Sequence, residues 1–113
     1  VFFGTASAVD VGVREGLSGF ENRWGIAQPG ESLSQMPDRI LTSIITDNVA
    51  LVGLGLEKTK DGTFGDAVIE AGVKEGVLYL GEIGESMKDQ EEAFKAIFED
   101  LKAGKITINY ELK

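Results

Sequence analysis

Arg39-Ile40-Leu41-Thr42-Ser43-Ile44-Ile45 is the stretch on which the fold turns. It is β-branched and apolar on both faces, a pattern that suits an interior strand of a sheet covered by helices on both sides. Thr46-Asp47-Asn48 then offer capping oxygens, and Val49, Val52, Leu54 and Leu56 carry an apolar helix to about Lys60, so a helix is predicted over 47–60. Gly53 and Gly55 inside it each cost about 1 kcal/mol relative to Ala, and close packing against a neighbour is the expected reason they are tolerated.

Upstream, Val1-Phe2-Phe3-Gly4 has the pattern of a short buried strand, and Thr5-Ala6-Ser7-Ala8 forms a small-residue turn like the strand-to-helix loops of α/β sheets. Ser7 and Asp10 have capping-box spacing; Val9, Val13, Leu17 and Phe20 then predict a helix over 8–18. Arg23-Trp24-Gly25-Ile26-Ala27 is a second short strand closed by Pro29-Gly30, and Leu33 to Asp38 has the composition of a loop.

Downstream, Ala67 to Gly72 and Gly76 to Gly81 are expected to form a hairpin around Val73-Lys74-Glu75. The last helix is predicted over 87–103, with Ser86 as N-cap, Asp89 at N3 and a core-facing stripe of Phe94, Ile97, Phe98 and Leu101. Ile106-Thr107-Ile108-Asn109-Tyr110 alternates as a closing strand. The order predicts one α/β unit over 1–113, a mostly parallel sheet flanked by helices.

The 113 residues carry 11 Lys plus Arg against 19 Asp plus Glu, a formal charge of −8. That balance excludes a nucleic-acid binder working through a basic face. With neither Cys nor His, the chain has no disulfides, thiolate nucleophiles or imidazole bases, and none of the common zinc sites. No apolar run approaches the ~20 residues needed to span a bilayer.

Gly53-Leu54-Gly55, Gly62-Thr63-Phe64-Gly65 and Gly81-Glu82-Ile83-Gly84 lack the spacing of phosphate-binding loops. Asp89, Glu91 and Glu92 do not converge on one point as a metal site would require; acidic first turns are favoured by the helix dipole. Ser7, Thr42 and Ser43 lie near predicted strand ends but have no evident base beside them, so no catalytic residue, metal or cofactor is assigned. The expectation is a non-enzyme. Trp24, Tyr79 and Phe64 are read either as packing residues or as rings against which a ligand stacks.

Several segments in order carry a resemblance. Ile40 to Ile45, the apolar helix after it, Lys60-Asp61-Gly62-Thr63-Phe64, Gly72-Val73-Lys74-Glu75-Gly76-Val77 and Phe98 to Ile106 together resemble the C-terminal part of the basic membrane protein (BMP) family, and Val1 to Ala8 is similar to that family's strand and small-residue loop. These are substrate-binding lipoproteins of ABC importers, similar to purine nucleoside receptors. The resemblance implies part of a bilobal, type I periplasmic-binding fold: part of the C-terminal lobe with hinge-crossing strands. It implies an extracytoplasmic protein that binds a small polar, nucleoside-like solute between two lobes and presents it to a membrane permease. A ligand-sensing regulatory protein on the same fold is the alternative. The start at Val1, inside a strand pattern and without Met, leads to the expectation of a fragment that requires the remaining N-terminal segment beside it.

Ser7, Gln28 and Thr46 correspond to the family's ligand-contact regions and are the expected ligand-binding residues. Each has an ordinary use as well, capping for Ser7 and Thr46 and an exposed loop for Gln28. The family pattern is altered at these places: Thr46 stands where a Lys is usual, Ala27 where an Asp is usual, and Ser7-Ala8 where paired glycines are usual. Loss of that Lys and Asp implies a preference for a ligand other than the common purine nucleosides, or contacts supplied by the other lobe.

Overall fold

The computed structural model describes residues 1–4 and 8–109. It is an α/β fold around one four-stranded sheet in the order β1 (Phe2–Phe3), β2 (Gly25–Ala27), β3 (Ile40–Thr46) and β4 (Leu78–Ile83). The first two pairings are parallel and the last, β3 with β4, is antiparallel. The sheet is therefore mostly parallel, as the sequence predicts. Helices α1 (Ala8–Leu17), α2 (Asn48–Lys60) and α3 (Glu91–Lys102) accompany it.

β3 is an interior strand, paired on both edges, and runs one residue later than its sequence pattern. Ile40, Thr42 and Ser43 are buried on it. Its ladder with β4 is irregular between Thr42 and Ile44: Thr42 pairs with Ile83 and Ile44 with Leu80, so two steps on β3 match three on β4. A bulge of this kind leaves an extra residue on one strand outside the ladder.

Three sequence expectations change. β4 pairs with β3 and not with 67–72, which forms no strand; the Val77 and Leu78 amides both donate to the Gly72 carbonyl, and the Asp47 amide donates to Val77 at 2.7 Å. The long apolar β3 is the better partner, a tertiary preference that overrides local hairpin spacing. The last helix is split into a 3-10 stretch over Glu85–Gln90 and α3, so Ser86 caps no α-helix; Gln90 precedes α3 without a side-chain cap bond. Ile106 to Asn109 form no strand, with Ile108 largely exposed, while Tyr110 lies outside the described residues.

The covering of the sheet is also thinner than expected. Leu17 on α1 reaches Gly25 and is buried together with Ala27, Ile40, Val77 and Ile83. α2, by contrast, has no buried residue, and Val49 is 83% exposed. Its glycines are not at a tight contact: a Cβ on Gly53 meets nothing within 4 Å, and one on Gly55 meets only the Phe64 ring at 3.6 Å. Asp47 is the N-cap of α2, its Oδ1 accepting from the Ala50 amide at 2.9 Å.

Gly84 differs from the α2 glycines. A Cβ there would lie 2.5 Å from the Ile40 carbonyl oxygen and 3.2 Å from that of Leu41, both backbone atoms of the central strand. Urea unfolding should show Gly84→Ala destabilised by about 1–3 kcal/mol through this overpacking. Gly53→Ala should be neutral or stabilising by up to about 1 kcal/mol, because it adds helix propensity without a collision.

Candidate functional site

In a parallel sheet the carboxyl ends of the strands and the helix starts that follow them form one edge, where α/β proteins place ligands. Here that edge is built from Gly4 after β1, Gln28 after β2 and Thr46 at the end of β3. Two hydrogen bonds connect the three ends. The Gln28 Nε2 donates to the Gly4 carbonyl, and the Thr46 amide donates to the Pro29 carbonyl at 2.8 Å. Gln28 and Thr46 are both half-buried, and the Gln28 Oε1 is not used in the bond to Gly4.

Two of the three expected binding residues are thus brought to one edge. Ser7 lies outside the described residues. Gly4 has no room for a side chain: a Cβ would collide with the Asp10 carboxylate and the Phe2 ring. Asp10 is buried at the start of α1, which places a carboxylate next to the strand end where the sequence suggested only a capping residue. Ala27 is 1% exposed, so the position that carries an Asp in the resembling family is here an apolar part of the core. Thr42 and Ser43 are not at the strand end. They lie within β3, with Ser43 bonded to Glu31 and the buried Thr42 Oγ1 without a hydrogen-bond partner.

Glu31 is the residue that sequence reasoning missed. Its Oε1 accepts from the Ser32 amide at 2.8 Å, the Leu33 amide at 2.7 Å and the Ser43 hydroxyl at 2.9 Å. Its Oε2 accepts from the Glu82 amide at 3.0 Å, which belongs to the bulged part of β4. Burial acts to raise the pKa of this carboxyl, and the bonds from Leu33, Ser43, Glu82 and Ser32 outweigh it and hold the pKa below the ordinary 4.5. No local motif signals this role, since the Glu82 contact is 51 residues distant in sequence.

Clefts lie elsewhere on the surface. One of about 290 Å³ lies between β4 and α3, lined by Leu78, Leu80 and Phe98 and rimmed by Glu91 and Lys95. Glu91 bonds to Lys88 at 2.6 Å and to Lys95 at 2.7 Å, and those two hydrogen bonds hold its carboxyl at about 2. Such solvent-exposed pairs add little stability. An apolar groove beside α2 is lined by Leu51, Val52, Leu56, Phe64 and Ile69. Neither cleft contains Gln28 or Thr46. Among the described residues no group of three or more acidic side chains could hold a metal ion, and no helix is long and apolar enough to cross a membrane.

The chain matches no protein-family model and no curated protein.

The depressed pKa of Glu31 has a definite pH signature. A carboxyl whose folded pKa lies below its unfolded value contributes stability that is fully present above the unfolded value, near 4.5, and is lost as pH falls through the folded one. Unfolding measured from pH 7 down to pH 3 should therefore show wild type losing part of its advantage over Glu31→Gln below about pH 4.5.

Proposed function

We propose that this chain is part of a solute-binding component of an ABC-type importer, forming part of the C-terminal lobe of a type I periplasmic-binding fold of the BMP kind. The observation that carries the reading is the joining of three strand ends at one edge by the Gln28 to Gly4 and Thr46 to Pro29 hydrogen bonds. α1 begins just beyond Gly4 and α2 just beyond Thr46, so two helix N-termini lie toward the same edge. Their partial positive charge favours the oxygen-rich groups of a polar solute.

In this reading the ligand binds between two lobes, and its greater affinity for the closed arrangement shifts the population toward closure. Gln28 offers an amide carbonyl, and Thr46 and Ser7 offer hydroxyls. A membrane permease reads the closed form, outside the cytoplasm. The remaining N-terminal segment of the same protein covers the apolar surfaces left open here. Val1 before β1 and Phe3 on it are 78% and 54% exposed, apolar surface of the kind such a segment would cover.

The altered positions set the specificity. A Lys and an Asp replaced by Thr46 and Ala27 remove two charge-assisted contacts of about 1.5–3 kcal/mol each. Purine nucleosides should then bind about 10²–10⁴-fold more weakly than to a protein with both charges, after allowance for non-additivity. Calorimetric titration of the complete protein with adenosine, guanosine and inosine is the check. Weak or absent nucleoside binding, with Gln28→Ala and Thr46→Ala each lowering the affinity of whichever solute binds, is the expected result. Nanomolar nucleoside binding unaffected by both substitutions would refute the site.

A further inference from the structure

The crossover from β2 to β3 contains no α-helix. Between Gln28 and Arg39 the only regular structure is a 3-10 turn at Leu33–Gln35, which carries no buried residue and no side-chain cap. A parallel crossover normally holds its position by packing a helix on the sheet. Here the fixing must come from another source, and a single side chain reaches from the crossover to two neighbouring strands.

That side chain is Glu31. One carboxylate binds the crossover's own Ser32 and Leu33 amides, the Ser43 hydroxyl on β3 and the Glu82 amide on β4. Ser32 and Ser43 are 6% and 0% exposed, so their polar groups have little water to turn to. The Ser32 amide also donates to the Ser43 Oγ at 3.2 Å, which joins the two donors to each other. Glycine at 81 leaves space for the carboxylate, since a Cβ there would collide with Oε2 and stand 3.1 Å from the Ser43 Cβ. Bulge, glycine and carboxylate fit one another.

We propose that Glu31 is the positioning residue of the strand-end edge: its carboxylate clamps the helix-free crossover onto β3 and β4, and so holds Pro29 on Thr46 and Gln28 on Gly4. The clamp lies a few residues beyond Gln28 and Pro29, at the same end of the crossover as the Thr46-to-Pro29 backbone bond. Its relevance to ligand binding rests on the solute-binding reading above, whereas the clamp itself does not.

Amide hydrogen exchange of the complete protein, read by NMR at the residues of this chain, tests it. Glu31→Ala should speed exchange at Thr46 by about tenfold or more, through loss of charge-assisted bonds that resist local opening. Gly81→Ala, which displaces the carboxylate without removing it, should have the same effect at Thr46. Glu31→Gln separates a clamp from mere packing. Its amide keeps one oxygen for the Ser32, Leu33 and Ser43 donors and turns an N–H toward Glu82, so protection should fall at Glu82 and persist at Ser32. Change at Thr46 below about twofold in both alanine variants would overturn the proposal. If those variants do not fold, equal loss or equal retention at Glu82 and Ser32 in Glu31→Gln would overturn it instead. Adenosine, guanosine and inosine titrated into the complete protein keep the two readings apart: nanomolar binding unaffected by Gln28→Ala and Thr46→Ala counts against the binding site, and the exchange pattern still decides the clamp.

Discussion

The ladder of β3 is the constraint on which the other elements depend. Parallel pairing with β2 on one side and antiparallel pairing with β4 on the other use both of its edges, and four of the chain's most buried positions, Ile40, Thr42, Ser43 and Ile83, lie on it or directly beside it. Its start is fixed by the Met36 carbonyl, which accepts from both Arg39 and Ile40, and by the Arg39 carbonyl, which accepts from Gly25. Its end is fixed by Pro29 on Thr46 and by Asp47 on Val77. Thr46 takes its place at the strand-end edge from these contacts.

Much of this frame was legible because its signals are local. The two-faced apolar run at Ile40 to Ile45 marks an interior strand, and Thr46-Asp47-Asn48 marks a helix start, of which Asp47 is the cap actually used. The partner of β4 was not legible. Ala67 to Gly72 has the spacing of a hairpin arm, but Gly76 takes a positive φ of 75° within a turn that sends Leu78 to β3. Local spacing cannot rank one strand partner against another that is distant in sequence.

The site divides in the same way. Gln28 and Thr46 are singled out by the resemblance, and each stands at the end of a strand that the local pattern marks, so a parallel sheet brings both to one edge. Glu31 could not, because it stands between Gly30 and Ser32 in a segment with the composition of a loop, and its partners are on two other elements. A carboxylate in such a place reads as solvated surface until the bulge at Gly81 and Glu82 supplies a donor with no partner in the ladder. The bulge itself leaves no mark in the sequence beyond one glycine.

The sheet accounts for only part of the chain's apolar surface. Val49, Val52, Leu56, Phe64 and Val68 are between 58% and 88% exposed, and fully burying side chains of this size is worth about 1.5–3 kcal/mol each. Together they represent on the order of 10 kcal/mol, comparable to the whole stability of a typical domain. Three of them are on α2, whose first turn is capped by Asp47 immediately after Thr46. A partner covering that helix would also fix the direction in which its N-terminus points, and the N-terminus is part of the strand-end edge. Covering the apolar face and shaping the candidate ligand edge are therefore coupled through α2, while Glu31 fixes the opposite side of the same edge through the crossover.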